Sequence, residues 1–248
     1  MTLHTKIEQP EVGAPVGYVF FAVQKRLKVA SKFVDFSRKI VLDLGCGNGA
    51  YTVEIAKVAK NICRGYRRPK IGLFTRYKKS LPANLCIEII KASGEYLPFR
   101  SEEFDLVTMI EVLEHVSSEE EYLSEIYRVL KTNGDLILFV PNRLYPFETH
   151  GATIKGIRLS RWTPFVSYLP EPLHARIAHA RIYTEKKLRL FIKEAGFKTM
   201  AVEYFYPPLD YIYLPQKIKK FYRQIATILE NSFLRRFGVS LFMLARKT

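Results

Sequence analysis

The stretch Ile40-Val41-Leu42-Asp43-Leu44-Gly45-Cys46-Gly47-Asn48-Gly49 constrains this chain more than any other. Ile40 to Leu44 is a short apolar run that stops at a glycine cluster, the pattern of a parallel strand buried on both faces. Glycines at alternate positions then supply a tight turn, over which a ligand can approach the backbone without meeting a Cβ. From about Asn48 onward, Val53, Ile55, Ala56 and Val58 begin a helical pattern. The first N–H groups of that helix point back across the turn. A strand, a glycine turn and a helix N-terminus make a nucleotide-type site, and they commit the chain to an α/β fold.

Charge separates the nucleotides that could sit there. Gly45 to Ala50 also fits the loose dinucleotide pattern G-x-G-x-x-A. Asp43, just ahead of the first glycine, argues against that reading. A carboxylate repels a pyrophosphate but attracts an ammonium or a sulfonium group. S-adenosylmethionine carries both cations and no phosphate. The remaining alternative is a plain strand turn with Asp43 as a helix cap.

V-L-D-L-G-C-G-N-G resembles the first motif of the class I S-adenosylmethionine-dependent methyltransferases. Tyr96-Leu97-Pro98-Phe99, Phe104-Asp105-Leu106-Val107, Val112-Leu113-Glu114-His115-Val116 and Arg128 to Asp135 resemble the later motifs, in order. The nearest branch is the small-molecule one, similar to the quinone-biosynthesis methyltransferases. The resemblance runs over roughly residues 35 to 205. It implies a doubly wound, mostly parallel seven-stranded sheet with an antiparallel last strand, interrupted by a lid and helical insertions. It implies S-adenosyl-L-methionine as cofactor, bound by Asp43, Gly45, Cys46, Gly47, Asn48 and Gly49 at the turn. Phe74 and Thr75 would follow the second strand, Ser93, Gly94 and Glu95 the third, and Ile110 and Glu111 would close the fourth.

The chain departs from the family at the second strand, read as Lys70 to Phe74. Relatives usually end that strand with an acid that hydrogen-bonds both ribose hydroxyls. Here Phe74 takes that place, and no acid occurs between Glu54 and Glu88. The hydroxyl of Thr75 is a weaker substitute than a carboxylate. Ser93 likewise stands where relatives often place an Asp against the adenine amino group.

The 248 residues suit one domain with insertions. Its expected parts are an N-terminal helical lead-in (1–37), a cofactor-binding core (38–142), a lid (143–183) and a further helix and strand (184–206). A basic helical insertion (207–237) and the last strand (238–248) complete it. No apolar run approaches the length of a membrane span, and the N-terminus has no signal-peptide layout. Cysteines 46, 63 and 86 lack metal-ligand spacing, and their odd number argues against a disulfide framework. The expectation is a reduced, cytoplasmic protein without a bound metal.

Further elements follow from pattern. Val19 to Ala30 has helical spacing, and so does the run after Ser118, where Glu121 completes a capping box. The helix after Ser118 should stop at Asn133-Gly134. Thr184 caps another helix, which ends at Gly196. Cys86–Lys91, Phe104–Ile110, Leu136–Val140, Phe197–Tyr206 and Val239–Ala245 read as strands. Between Arg143 and Tyr183 prolines and aromatic residues interleave without period, which suggests a lid over the carboxyl ends of the strands.

Methyl transfer from a sulfonium is activated by the cofactor, so a protein supplies mainly proximity and orientation. The catalytic group can therefore stay hidden in a sequence. His115, His150 beside Glu148, and less centrally His174 and His179, are candidates for a base or an acceptor ligand. Each is also compatible with ordinary packing. Trp162 and the tyrosines could bind an aromatic substrate or simply pack the lid.

The net charge of +15 is uneven: from Phe147 onward there are 18 Lys/Arg against 7 Asp/Glu, and before it 21 against 17. The excess lies mostly in that C-terminal part, with one further run, Arg64 to Lys79, that contains no acid; near 217–223, Ile218, Phe221, Tyr222 and Ile225 are set against Lys217, Lys219, Lys220 and Arg223. That helix fits an anionic membrane surface, nucleic acid, or a solvated face of a Lys/Arg-rich protein. No RNA-binding domain is appended, and Phe139-Val140-Pro141-Asn142 is not the Asn/Asp-Pro-Pro-Tyr/Phe motif, which argues against nucleic acid. The function expected is methylation of a small, lipid-like molecule on oxygen or carbon. An RNA methyltransferase and a non-catalytic binding module of the same fold are the rivals.

Overall fold

The computed structural model describes residues 16–47, 49–59, 63–66, 87–90, 92–160, 163–206 and 215–248. Its centre is a seven-stranded sheet in the order β3-β2-β1-β4-β5-β9-β8. These strands are β1 Val41–Leu44, β2 Cys63–Tyr66, β3 Ile87–Ile90, β4 Phe104–Ile110, β5 Leu130–Pro141, β8 Phe197–Phe205 and β9 Ser240–Lys247. The pairs among β1 to β5 are parallel, and β9 runs antiparallel between β5 and β8. The doubly wound sheet with a reversed last strand is thus as expected.

The apolar runs of β1, β4 and β5 are buried on both faces, as strands covered by helices must be. Leu42 and Leu44 point into one core with α3 (Glu119–Val129) and α5 (Glu185–Glu194). Val41 points into the other, with α1 (Val16–Ala30) and α2 (Ala50–Val58). Ser118 and Thr184 cap α3 and α5 by accepting from the N–H of Glu121 and Lys187. α6 (Gln216–Glu230) carries the basic face, and no helix of the described residues is long and apolar enough to cross a membrane.

Three expectations need correction. The strand between β1 and β3 is Cys63–Tyr66, not Lys70–Phe74. Its sequence, Cys-Arg-Gly-Tyr, lacks the apolar run by which buried strands are found. Lys70–Phe74 lies outside the described residues. Secondly, α3 ends at Val129, and Asn133-Gly134 is not its cap. Lys131 to Gly134 instead bulge out of β5 between Leu130, paired with Phe104, and Asp135, paired with Leu106. Asn133 takes a left-handed φ of 63° there, so the Asn-Gly pair marks a bulge. Thirdly, residues 143–183 are not irregular throughout. They hold a hairpin, β6 (Ala152–Ile154) with β7 (Ile157–Leu159), and the short helix α4 (Glu171–Ile177).

Asp105, at the start of β4, accepts from the Ile40 N–H and from Lys131, fixing the entry to β1. β1 and β4 are neighbours while the chain winds outward from them in both directions. The crevice beyond their carboxyl ends is the topological switch point of the sheet, where ligands of such folds bind. The glycine turn and Glu111 lie there.

Candidate functional site

At the end of β1, Gly45, Gly47 and Gly49 all take positive φ, at 76°, 52° and 83°. Two of them are needed for different reasons. A Cβ on Gly45 would stand 2.5 Å from Cγ2 of Val112, so the loop after β4 packs directly on the turn. Among the described residues a Cβ on Gly47 would meet nothing nearer than the Gly45 carbonyl oxygen at 3.9 Å, and would project into space above the turn. That space is the cradle a ligand would fill. Cys46 is buried in the turn.

Asp43 lies beneath this cradle and is almost completely buried. Its carboxylate accepts from the hydroxyls of Thr52 in α2 and Thr108 in β4, the latter at 3.0 Å. It therefore ties the first turns of α2 to the two central strands. Burial pushes its carboxyl up to about 6, against the two hydroxyl hydrogen bonds, which pull it down. Among the described residues no basic side chain is paired with it, so its charge is met by the two hydroxyl dipoles. A cationic ligand above the turn would supply what is missing. The residues present thus fit the methionine half of S-adenosylmethionine.

The third strand leads to a loop that is internally tied. Glu95 accepts from the hydroxyls of both Ser93 and Ser117, linking this loop to the segment before α3. Gly94 is buried against Tyr122, where a Cβ would stand 2.0 Å from the ring. It serves packing. Ile110 turns its side chain into the core shared with α1 and α2. Asn48, Phe74, Thr75 and Trp162 lie outside the described residues. Phe74 does not end the second strand, so the argument that it replaces the ribose acid loses its premise. The lack of acids between Glu54 and Glu88 stands.

The end of β4 carries the densest charge. Glu111 has a left-handed φ of 54°, uncommon for a non-glycine residue and held here by partners on every side. Its N–H donates to the Phe139 carbonyl, and its carboxylate accepts from Arg26 of α1 and from Ser240 of β9. Arg26 also donates to the Tyr51 hydroxyl in the first turn of α2, and its guanidinium lies over the rings of Phe139 and Phe205. Through Arg26, which nothing in the sequence singles out, α1 therefore packs against the end of β4 and the first turn of α2. Burial pushes the Glu111 carboxyl up, but Arg26 and His150 outweigh it and hold it below the usual range.

A single-turn helix, Leu113–His115, follows. Glu114 is wholly buried, and neither carboxylate oxygen has a hydrogen-bond partner among the described residues. Burial and the neighbouring Glu111 push its carboxyl well up. His150, from the 143–183 segment, brings its Nε2 to 3.4 Å from Glu114 and 3.7 Å from Glu111. His115 places its Nε2 4.0 Å from Glu114 and its ring edge-to-face with His150. Burial and the nearby His150 lower the His115 pKa. His150 and His115 are thus brought together with acids. His174 and His179 are not: His174 is buried against Glu148 at 2.8 Å, and His179 meets the Thr153 hydroxyl. Glu148 also accepts from the His150 N–H, so this buried pair pins the loop that presents His150.

Glu114 and His115 line an open cleft of about 410 Å³, together with residues of α4 and the Ala178–Ile182 stretch. Arg143, Arg181 and Lys187 also border it. Val112, on the turn between, is the residue that packs on Gly45. Cradle and cavity therefore meet across one short loop.

A glycine cradle over a buried acid, at the switch point of a seven-stranded sheet with a reversed last strand, resembles the fold and turn of S-adenosylmethionine-dependent methyltransferases. Residues 42–138 match the methyltransferase domain family. The chain is 33% identical over 112 residues to the ubiquinone biosynthesis O-methyltransferase of Schizosaccharomyces pombe, covering 44% of this chain and 40% of that one. It is 29% identical over 195 residues to the demethylmenaquinone methyltransferase of Lactobacillus johnsonii, covering 72% and 73%. An uncharacterised protein of Methanocaldococcus jannaschii is 35% identical over 125 residues, half of this chain and 49% of its own length. The matches thus span about half the length of most of these curated relatives. Among solved structures, an S-adenosylmethionine-dependent methyltransferase from Mesorhizobium loti superposes with a TM-score of 0.61 at 16% identity, over 89% of this chain and 96% of that one. Magnesium protoporphyrin IX methyltransferase from Synechocystis, with bound S-adenosylhomocysteine, gives 0.58 at 14% identity, over 94% and 84%. At such identities the likeness is one of fold.

Proposed function

We propose that this chain transfers the methyl group of S-adenosylmethionine to an oxygen or carbon atom of a small, lipid-like molecule. The observation that carries the reading is the loop Glu111–His115, which packs on the glycine cradle through Val112 and lines the neighbouring cavity with Glu114 and His115. The cofactor, when bound, supplies a methyl group already activated on a sulfonium. Gly45, Gly47 and the first N–H groups of α2 would hold its methionine half, and Asp43 would complement its charge from below. Glu114, His115 and His150 offer hydrogen-bond acceptors that can fix an acceptor hydroxyl near the cradle. The barrier is lowered chiefly by this positioning, worth about 7–11 kcal/mol in well-oriented systems. Arg143, Arg181 and Lys187 on the cavity border favour an acceptor with an anionic or strongly polar end.

The relatives' names, ubiquinone biosynthesis, demethylmenaquinone and norajmaline methyltransferases, support a small-molecule acceptor. A lipid-like one is supported by α6. Ile218, Phe221 and Ile228 are exposed on it, beside Lys217 and Lys220. Such a face suits the boundary of an anionic membrane, from which an apolar acceptor could be collected.

Isothermal titration with S-adenosylmethionine and S-adenosylhomocysteine, followed by transfer assays on catechol-type and hydroquinone-type acceptors, tests the reading. Saturable binding of both and methyl transfer to such an acceptor are expected. No binding of either at about 1 mM would overturn it, since even a weak specific site gives about 4 kcal/mol at that concentration. Binding to anionic vesicles should fall with salt and require Phe221. Retention of RNA by a Phe221→Ser variant that no longer binds vesicles would favour phosphate contact instead.

A further inference from the structure

We propose that the outer face of α5, together with Arg143, forms a subsite for a phosphate group carried at one end of an elongated, amphiphilic acceptor. The inference deepens the function above and rests on it for the reaction at the other end of the same molecule.

Three observations carry it. First, a second open cleft, of about 600 Å³, adjoins the one beside Glu114 and His115. Arg143, Glu171, Ile182 and Lys187 line both, so the two share a border, and each has the size of a small-ligand site. The ion pair between Lys187 and Glu171 lies on that border. With side chains 34% and 63% exposed, such a pair contributes little and parts readily.

Secondly, the second cleft is unbalanced in charge. Arg143, Lys186, Lys187, Arg189 and Lys193 line it against Glu171. Lys187 is paired with Glu171, and Arg189 with Glu185. Lys186, Lys193 and Arg143 form no ion pair among the described residues, and the Arg143 guanidinium donates there only to the Leu169 carbonyl. Three cations thus line one concavity with their charge unmet, and an anionic ligand would meet it.

Thirdly, apolar surface and charge are set together. Lys186, Leu190 and Lys193 stand at i, i+4 and i+7 on one face of α5, while Leu188 and Ile192 on the other face enter the core. Leu190 is 53% exposed between the lysines, and Ile182 continues the apolar lining to the first cleft. One exposed leucine is ordinary. One set between unpaired lysines, in a cleft with an apolar path to a second, offers a stem and a head to an amphiphile. A guanidinium with free N–H groups beside two point charges suits the three oxygens of a phosphate. The methylated atom would then lie remote from that phosphate, near Glu114 and His115.

The test uses the full chain, with and without S-adenosylhomocysteine. It is titrated calorimetrically with decyl phosphate below its micelle concentration, with inorganic phosphate and with decanol. One decyl phosphate per chain is expected, bound at least about tenfold more tightly than either of the others, each of which lacks half of what the cleft offers. Arg143→Ala and the double variant Lys186→Ala/Lys193→Ala should each weaken it at least about tenfold, and Arg143→Lys should restore only part. Circular dichroism checks folding, and the exposed lysine pair serves if Arg143→Ala does not fold. His115 lines the first cleft and not the second, so decyl phosphate should shift its imidazole proton resonance, assigned with His115→Ala, and inorganic phosphate should not. Equal affinity for inorganic phosphate, or no shift at His115, would overturn the inference. Binding lost in Phe221→Ser but kept in Arg143→Ala would place the amphiphile on α6 and overturn it as well. Cofactor binding without a preference for decyl phosphate would overturn this inference and leave the proposed function standing. Decyl phosphate bound through Arg143 by a chain that takes no cofactor would support the subsite and overturn that function.

Discussion

The glycine turn and the acid–histidine cluster lie on either side of one loop, yet they are built in opposite ways. The turn is local: strand, glycines and helix follow one another in the chain, and its one buried acid is satisfied by two threonines. The cluster is assembled from afar, with Arg26 from α1, Glu111 and Glu114 after β4, His150 from the 143–183 segment and Ser240 from β9. Its buried acid Glu114 lacks such hydrogen bonds among the described residues. A local, satisfied element suits an invariant ligand such as a cofactor. A composite one, with a charge left to be met, suits the part of a site that varies with the acceptor.

The widest separation of the two should come from the glycines. Gly45→Ala forces a Cβ into Val112 at a left-handed backbone position, combining about 1–3 kcal/mol of overpacking with about 1–2 kcal/mol of backbone strain. Thermal unfolding should show that loss, and because Val112 leads into the cluster, cavity and cradle should fail together. Gly47→Ala pays only the backbone part, since its Cβ clashes with none of the described residues. It should keep the fold and the cluster while losing cofactor affinity at least about tenfold, as its methyl occupies the cradle. Equal effects of the two variants on stability and on binding would dissolve the distinction between packing glycine and ligand glycine.

How these regions read in the sequence follows from the same contrast. Asp43 to Gly49 was legible because its chemistry is contiguous, as were β4 and the caps at Ser118 and Thr184. Arg26 looked like one more polar residue of an amphipathic helix, and Glu114 only like part of a motif. Nothing in one dimension announces that a helical arginine will cross to the end of β4. His115 and His150 were candidates, but their meeting depends on the fold of the 143–183 segment, whose hairpin carries no strong alternation. β2 was missed because a four-residue strand of Cys-Arg-Gly-Tyr is recognised by its place between β1 and β3 and not by its composition.

His150→Ala sharpens the comparison from the other side. The residue has no hydrogen bond, ion pair or ring contact with the described residues of the turn, so S-adenosylmethionine affinity should stay within about threefold of the parent. Turnover should fall about 100-fold or more, the scale of a lost positioning contact at a reacting centre. Measured affinity and turnover that drop in proportion would mean that the cluster helps to hold the cofactor, and the division of labour would be wrong.

The smallest effect expected is the most diagnostic for the turn. The Asp43 carboxyl sits at about 6 in the folded chain, above the ordinary 3.8. Its folded pKa is raised, so the folded state binds the proton more tightly than the unfolded one. The stability this contributes is full below the unfolded value and is lost as pH rises through about 6. Between about pH 5 and pH 7 the loss should come to roughly 1 kcal/mol. Asp43→Asn keeps a hydrogen-bonding partner for Thr52 and Thr108 but removes the titration. Without cofactor, the stability of the variant relative to the parent should therefore rise by that amount across the same interval. Cofactor should act in the opposite direction. A cation above the turn favours the charged carboxylate, so affinity for S-adenosylmethionine should strengthen through about pH 6 in the parent and show no such step in Asp43→Asn. Parallel stability curves for the two proteins would mean that Asp43 keeps an ordinary pKa in its buried place. A step in stability without one in affinity would leave Asp43 as an anchor of the turn alone, with no charge felt by the ligand.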